Sequence, residues 1–145
     1  MRIRPFGIAT MTMFLLTACP APQTELSRTA EMPGAPDMYC LIEELRKTVD
    51  GHAVTYTVED LPPGTAHSVS YLLSGVYYGW WFLVRKDASV TVMHRAGLED
   101  SRAEELPQAR ERMRVTEAAI RNRCGMGTVM DSAQESCRGK GCRVR

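Results

Sequence analysis

Hydrophobic residues along this chain follow two periods, one helical and one alternating. From Asp37 to about Val49, the residues Met38, Leu41, Ile42, Leu45 and Val49 recur every three to four positions, with Glu43, Glu44, Arg46 and Lys47 elsewhere. That spacing predicts an amphipathic helix with Asp37 as N-cap and Gly51 as stop. The period then changes. Val54, Tyr56 and Val58 alternate with Thr55 and Thr57, predicting a half-buried strand closed by Leu61-Pro62-Pro63-Gly64. Val69, Tyr71 and Leu73 alternate with Ser68, Ser70 and Ser74, and Tyr77 to Val84 forms an aromatic-rich strand. Arg85 to Ser89 turns it into Val90-Thr91-Val92-Met93. A last helix is expected from about Pro107 to Arg123, with Ala109, Met113, Thr116 and Ile120 as its apolar stripe and Gly125 as its cap. Residues 99–106 are expected to add a short turn of helix before it. The predicted class is α+β: an N-terminal helix, an antiparallel meander of three to four strands, and a C-terminal helix packed on one sheet face.

The first residues carry a different signal. Arg2 and Arg4 precede an uncharged, mostly apolar stretch from Pro5 to Leu16, which ends in Leu16-Thr17-Ala18-Cys19. A basic start, a short apolar run and small residues before a cut are the parts of a secretory signal. The tetrapeptide resembles the bacterial lipobox, and the resemblance covers only this region. It implies that residues 1–18 are a signal peptide and that Cys19 becomes the acylated first residue of a lipoprotein. About 12 apolar residues are too few for a membrane-spanning helix, which needs roughly 20. Two or three acyl chains would make the attachment effectively permanent. Pro20 in place of an aspartate leans toward the outer membrane, facing the periplasm, with the inner membrane left open. Residues 19–36, with four prolines and few large apolar side chains, read as the lipidated Cys and a flexible tether. Residues 37–125 then form the domain, and 126–145 a basic, cysteine-containing tail.

Charge changes the picture a little. Losing Arg2 and Arg4 leaves 16 basic residues against 17 acidic ones, a formal charge of −1. That balance disfavours general nucleic-acid binding, which needs clustered cations. The stretch from Ser68 to Val84 carries no charge, but its alternation suits strands better than a membrane span.

Setting Cys19 aside leaves Cys40, Cys124, Cys137 and Cys142, an even set that reads as disulfides in an exported chain. Antiparallel terminal helices favour Cys40 with Cys124, and Cys137 with Cys142 as a small loop. By loop entropy the first would contribute about 4–5 kcal/mol and the second about 2 kcal/mol. Cys40 lies nearly opposite its helix's apolar stripe, which keeps a bridge to Cys137 open. Zinc held by Cys137 and Cys142, with nitrogen ligands from His52, His67 and His94, is the sharper alternative, but nothing in the spacing groups the histidines with the cysteines. No metal or cofactor is expected. No catalytic motif appears, and the acids Glu99, Asp100, Glu104 and Glu105 read as a solvated helix start.

The remaining candidate is aromatic. On one strand Tyr78 and Trp80 face one side while Tyr77 and Trp81 face the other, and only one pair can lie beneath the helices. Whether the second pair is covered by other segments is not decided by the sequence. These four form the candidate binding surface. The expected function is a non-enzymatic binding or adaptor role in the envelope, with a protein or cell-wall partner. The alternative is an immunity or inhibitor lipoprotein that blocks a toxin or hydrolase, and an enzyme ranks last.

Overall fold

The computed structural model describes residues 21–49 and 53–143. The predicted signal peptide, Cys19, Pro20 and His52 lie outside the described residues. The chain forms one six-stranded antiparallel sheet and two helices, in the order β1 (Gln23–Met32), α1 (Met38–Thr48), β2 (Thr55–Leu61), β3 (Gly64–Leu73), β4 (Val76–Arg85), β5 (Val90–Glu99), α2 (Leu106–Ile120) and β6 (Gln134–Arg138). Short 3-10 turns at Asp100–Glu105, Val129–Ser132 and Lys140–Cys142 join these elements. The strand order across the sheet is β2-β3-β4-β5-β1-β6.

This corrects the expected fold. Among the described residues the first element is a strand, not a helix; the sheet has six strands, not three or four; and a strand follows the second helix. The segment read as a flexible tether contains β1, which pairs with β5 along ten residues and with β6 on its other side. Its inward positions are Thr24, Leu26, Arg28, Ala30 and Met32, so only two of the five are large and apolar. The alternation was therefore hidden by a threonine, an arginine and an alanine. The segment read as a basic, cysteine-containing tail supplies β6, which pairs along the outer side of β1.

Local chemistry explains the turns and ends. The Asp37 carboxylate accepts a hydrogen bond from the Cys40 amide at 3.0 Å and caps α1. Two-residue loops join β2 to β3 at Pro62-Pro63 and β3 to β4 at Ser74-Gly75. Ser74 and Gly75 both have positive φ, 51° and 75°, the backbone that matches the twist of a tight hairpin. Gly64 has no room for a side chain, because a Cβ there would overlap the Val84 carbonyl. α2 begins with Leu106-Pro107 and ends at Ile120, short of the expected Arg123, where Asn122, Cys124 and Gly125 take left-handed backbone.

Both helices lie on one face. Strand register puts Leu26, Ala96, Tyr78 and Tyr71 in one row of that face, and Ala30, Val92 and Phe82 in another. Leu41 and Leu45 of α1 pack with Trp80, Phe82, Val90 and Val92, while Ala109 and Met113 of α2 pack with Leu26, Tyr78, Ala96 and Leu98. The helices run antiparallel, and the disulfide Cys40–Cys124 ties the start of α1 to the segment after α2. The amide of Asp37 also donates to the Cys124 carbonyl at 2.8 Å. Cys137–Cys142 forms the second bridge. β2, expected to be half-buried, is an exposed edge strand: Tyr56 and Val58 face the helix side but lie open to solvent. Among the described residues, no helix is long and apolar enough to cross a membrane.

Candidate functional site

The sheet has two faces of different character, and the four aromatic residues singled out from the sequence divide between them. Tyr78 and Trp80 are buried beneath the helices, so they belong to the core and leave the candidate surface. Tyr77 and Trp81 point to the opposite face, which no described helix covers. There the rows run Glu25–Gly97–Tyr77–Leu72, then Ser27–Arg95–Gly79–Ser70, then Thr29–Met93–Trp81–Ser68. Leu72 is 61% exposed and Tyr77 37%, while Trp81 and Met93 are half-buried.

The open face is built rather than bare. The Tyr77 ring lies along its own strand over Gly79, where a Cβ would sit within 3.2 Å of the ring edge. The Arg95 guanidinium stands 5.4 Å from the centroid of the same ring, a cation–π contact. Glycine at 79 thus gives the tyrosine a flat seat, and Arg95 holds it there.

The helix face carries a polar row across its middle that the sequence reading missed. Register aligns Glu135 of β6, Arg28 of β1, His94 of β5 and Trp80 of β4. His94 has no exposed surface and lies flat on Trp80, with ring centroids 3.9 Å apart. Its Nδ1 is 2.9 Å from Oε1 of Glu117, which descends from α2. Arg28 donates through Nε to both Glu117 oxygens, at 3.0 and 3.2 Å, and through a terminal nitrogen to the Met130 carbonyl at 2.8 Å. Glu135 lies 3.7 Å from Arg28 and 3.0 Å from Arg110. Burial holds the His94 pKa below the ordinary histidine value; the Glu117 hydrogen bond and charge oppose that shift, and Arg28 adds to it. Burial likewise raises the phenol pKa values of Tyr71 and Tyr78, whose rings stack 5.3 Å apart.

Two signals in the sequence pointed to this row. Carrying the β5 alternation past Met93 places His94 in the series Val90, Val92, Ala96 and Leu98. Glu117 follows Thr116 of the apolar stripe of α2. Arg28 left no such mark, because the strand that carries it did not read as one.

The other candidates separate. His67 meets the exposed Tyr56 hydroxyl at 2.7 Å, with three strands between its β3 and the β6 that carries Cys137. Both cysteine pairs are closed as disulfides, and no three His, Cys, Asp or Glu among the described residues gather as metal ligands. Of the acids read as a helix start, Glu105 pairs with Arg102 and Asp100 accepts from the Thr24 hydroxyl at 2.6 Å. No protein-family model matches the chain, and neither does any curated protein.

Proposed function

We propose that this protein is a lipid-anchored envelope protein that binds a protein partner with the open face of its sheet. One observation carries the reading: the face that no described helix covers presents Trp81, Met93 and Arg95 together on two adjacent strands, with Arg95 standing over the Tyr77 ring. Tyrosine, tryptophan, methionine and arginine are the residue types enriched at the centres of protein interfaces and at their hot spots. The lipobox-like Leu16-Thr17-Ala18-Cys19 is what supports the anchoring half of the proposal and, with it, a domain that faces the periplasm.

The polar row under α2 has a structural part in this reading. His94 is sealed between Trp80 and Glu117, so it fixes how α2 lies on the sheet rather than meeting a substrate. The experiment is in-cell crosslinking of the full lipoprotein, wild type beside Trp81→Ala and Met93→Ala, with mass spectrometry of what copurifies. One protein captured by wild type and lost from both variants supports the proposal. Equal capture by all three would remove the open face from it.

A further inference from the structure

Because β1 occupies the segment expected to be a tether, the distance between the anchor and the domain collapses. The backbone is already fixed at Pro22, whose carbonyl accepts the Asp100 amide at 2.9 Å. Only three peptide units separate Pro22 from Cys19, a reach of about 10–11 Å when fully extended. The end of the sheet where β1 starts therefore cannot leave the membrane by more than that. We propose that this end is seated on the lipid surface. The inference rests on acylation at Cys19, the anchoring half of the proposed function.

What lies at that end fits the assignment. The first row of the open face above Gln23 is Arg138–Glu25–Gly97–Tyr77–Leu72, and it crosses five strands. Leu72 is the most exposed leucine of the described chain, and Tyr77 beside it has an apolar body with a polar tip, which suits the boundary between acyl chains and headgroups. Some of the charges at this end are held by the protein itself. Arg138 pairs with Glu25 at 3.3 Å, and Asp100 is held by the Thr24 hydroxyl and the Lys140 amide. The exposed Lys140 lies in the turn whose amides meet Asp100 and Thr24, and the exposed Arg143 follows it, which suits a surface that contains anionic headgroups. At about 3.3 Å per residue, Trp81 and Met93 then stand about 20 Å from the start of β1. The partner must be met close to the membrane rather than reached at a distance.

The test uses the full lipoprotein, purified from membranes and returned to vesicles of phosphatidylethanolamine and phosphatidylglycerol. A photocrosslinking side chain replaces Leu72, Tyr77 or Asp87; the first two are at the anchored end, and Asp87 is in the exposed β4–β5 turn at the other. Intact mass first reports whether Cys19 carries acyl chains. Without them, the anchoring reading falls and the seating falls with it. With them, lipid adducts are expected at positions 72 and 77 and none above background at 87. Adducts at 87 as abundant as at 72, or none at any position, would overturn the seating and leave the anchor standing.

Discussion

His94 lies against Trp80 with ring planes 11° apart, and its Nδ1 reaches Glu117 at 2.9 Å. This contact joins the middle of the sheet to the last turn of α2, at the point where one apolar cluster gives way to the other. Arg28 completes it from the next strand and is itself held by the carbonyl of Met130. A helix lying on a sheet by apolar contacts alone can slide along it with little change in buried area. A histidine, a carboxylate and a guanidinium with fixed hydrogen-bond directions remove that freedom.

The same burial sets a pH dependence. The folded pKa of His94 is lowered, mainly by burial, so the fold holds the ring neutral while the unfolded chain takes up a proton near the ordinary histidine value. The stability is therefore complete above about pH 6.5 and is lost as pH falls below it, by at most about 1.4 kcal/mol per pH unit. Denaturant unfolding at about pH 7.5 and pH 5 measures the loss. His94→Gln should lose less over the same interval than wild type. An equal loss in both would assign the acid sensitivity to other groups.

Removing Glu117 tests the row from the helix side. Glu117→Ala leaves Arg28, whose side chain is 16% exposed, without its nearest anion, and strips Nδ1 of His94 of its partner. The expected cost is about 2–4 kcal/mol, at or just below the range for breaking a buried pair. A double-mutant cycle with Arg28→Ala measures the coupling, which should be positive and exceed that of an exposed pair.

Much of the helix face was legible because its elements carry clean periods. The α2 stripe Ala109, Met113, Thr116 and Ile120 is buried at every position, and so are Leu41 and Leu45 of α1 and Val49 at its C-terminal end. The strands failed where burial and hydrophobicity part company. β1 buries Thr24, which hydrogen-bonds to Asp100 and receives the Gly141 amide, and largely covers Arg28, which pairs with Glu117. A polar side chain satisfied by distant residues looks like a solvent-facing one until those partners are known. β2 fails in the opposite sense, since Val58 is apolar, alternating and exposed at the edge. The division of Tyr77 and Trp81 from Tyr78 and Trp80 follows from strand geometry alone. Which pair is open depended on where the helices cross.

The two disulfides should differ in what they hold. Cys40–Cys124 closes a span of 84 residues and ties α1 to the segment after α2, whereas Cys137–Cys142 closes a span of 5 from within β6. Replacing both cysteines of a pair by alanine should cost about 4–5 kcal/mol for the first and about 2 kcal/mol for the second by loop entropy. Denaturation midpoints of the two double variants rank them directly. A larger loss from the Cys137–Cys142 pair would mean that β6 matters more to the sheet than its five residues suggest.

The most direct test of the fold is in the segment whose composition resembles a linker. Leu26 has no exposed surface and packs with Ala96, Leu98, Tyr78 and Met113, so Leu26→Ala should destabilise the domain by about 2–5 kcal/mol. Ser27 points to the open face one residue away, and Ser27→Ala should change stability by less than about 0.5 kcal/mol. A tether would show no such alternation, since neither residue would have anything to pack against. Chemical denaturation of the two variants beside wild type therefore separates strand from linker. Equal small effects at positions 26 and 27 would return the segment to a linker and, with it, free the domain to stand away from the membrane.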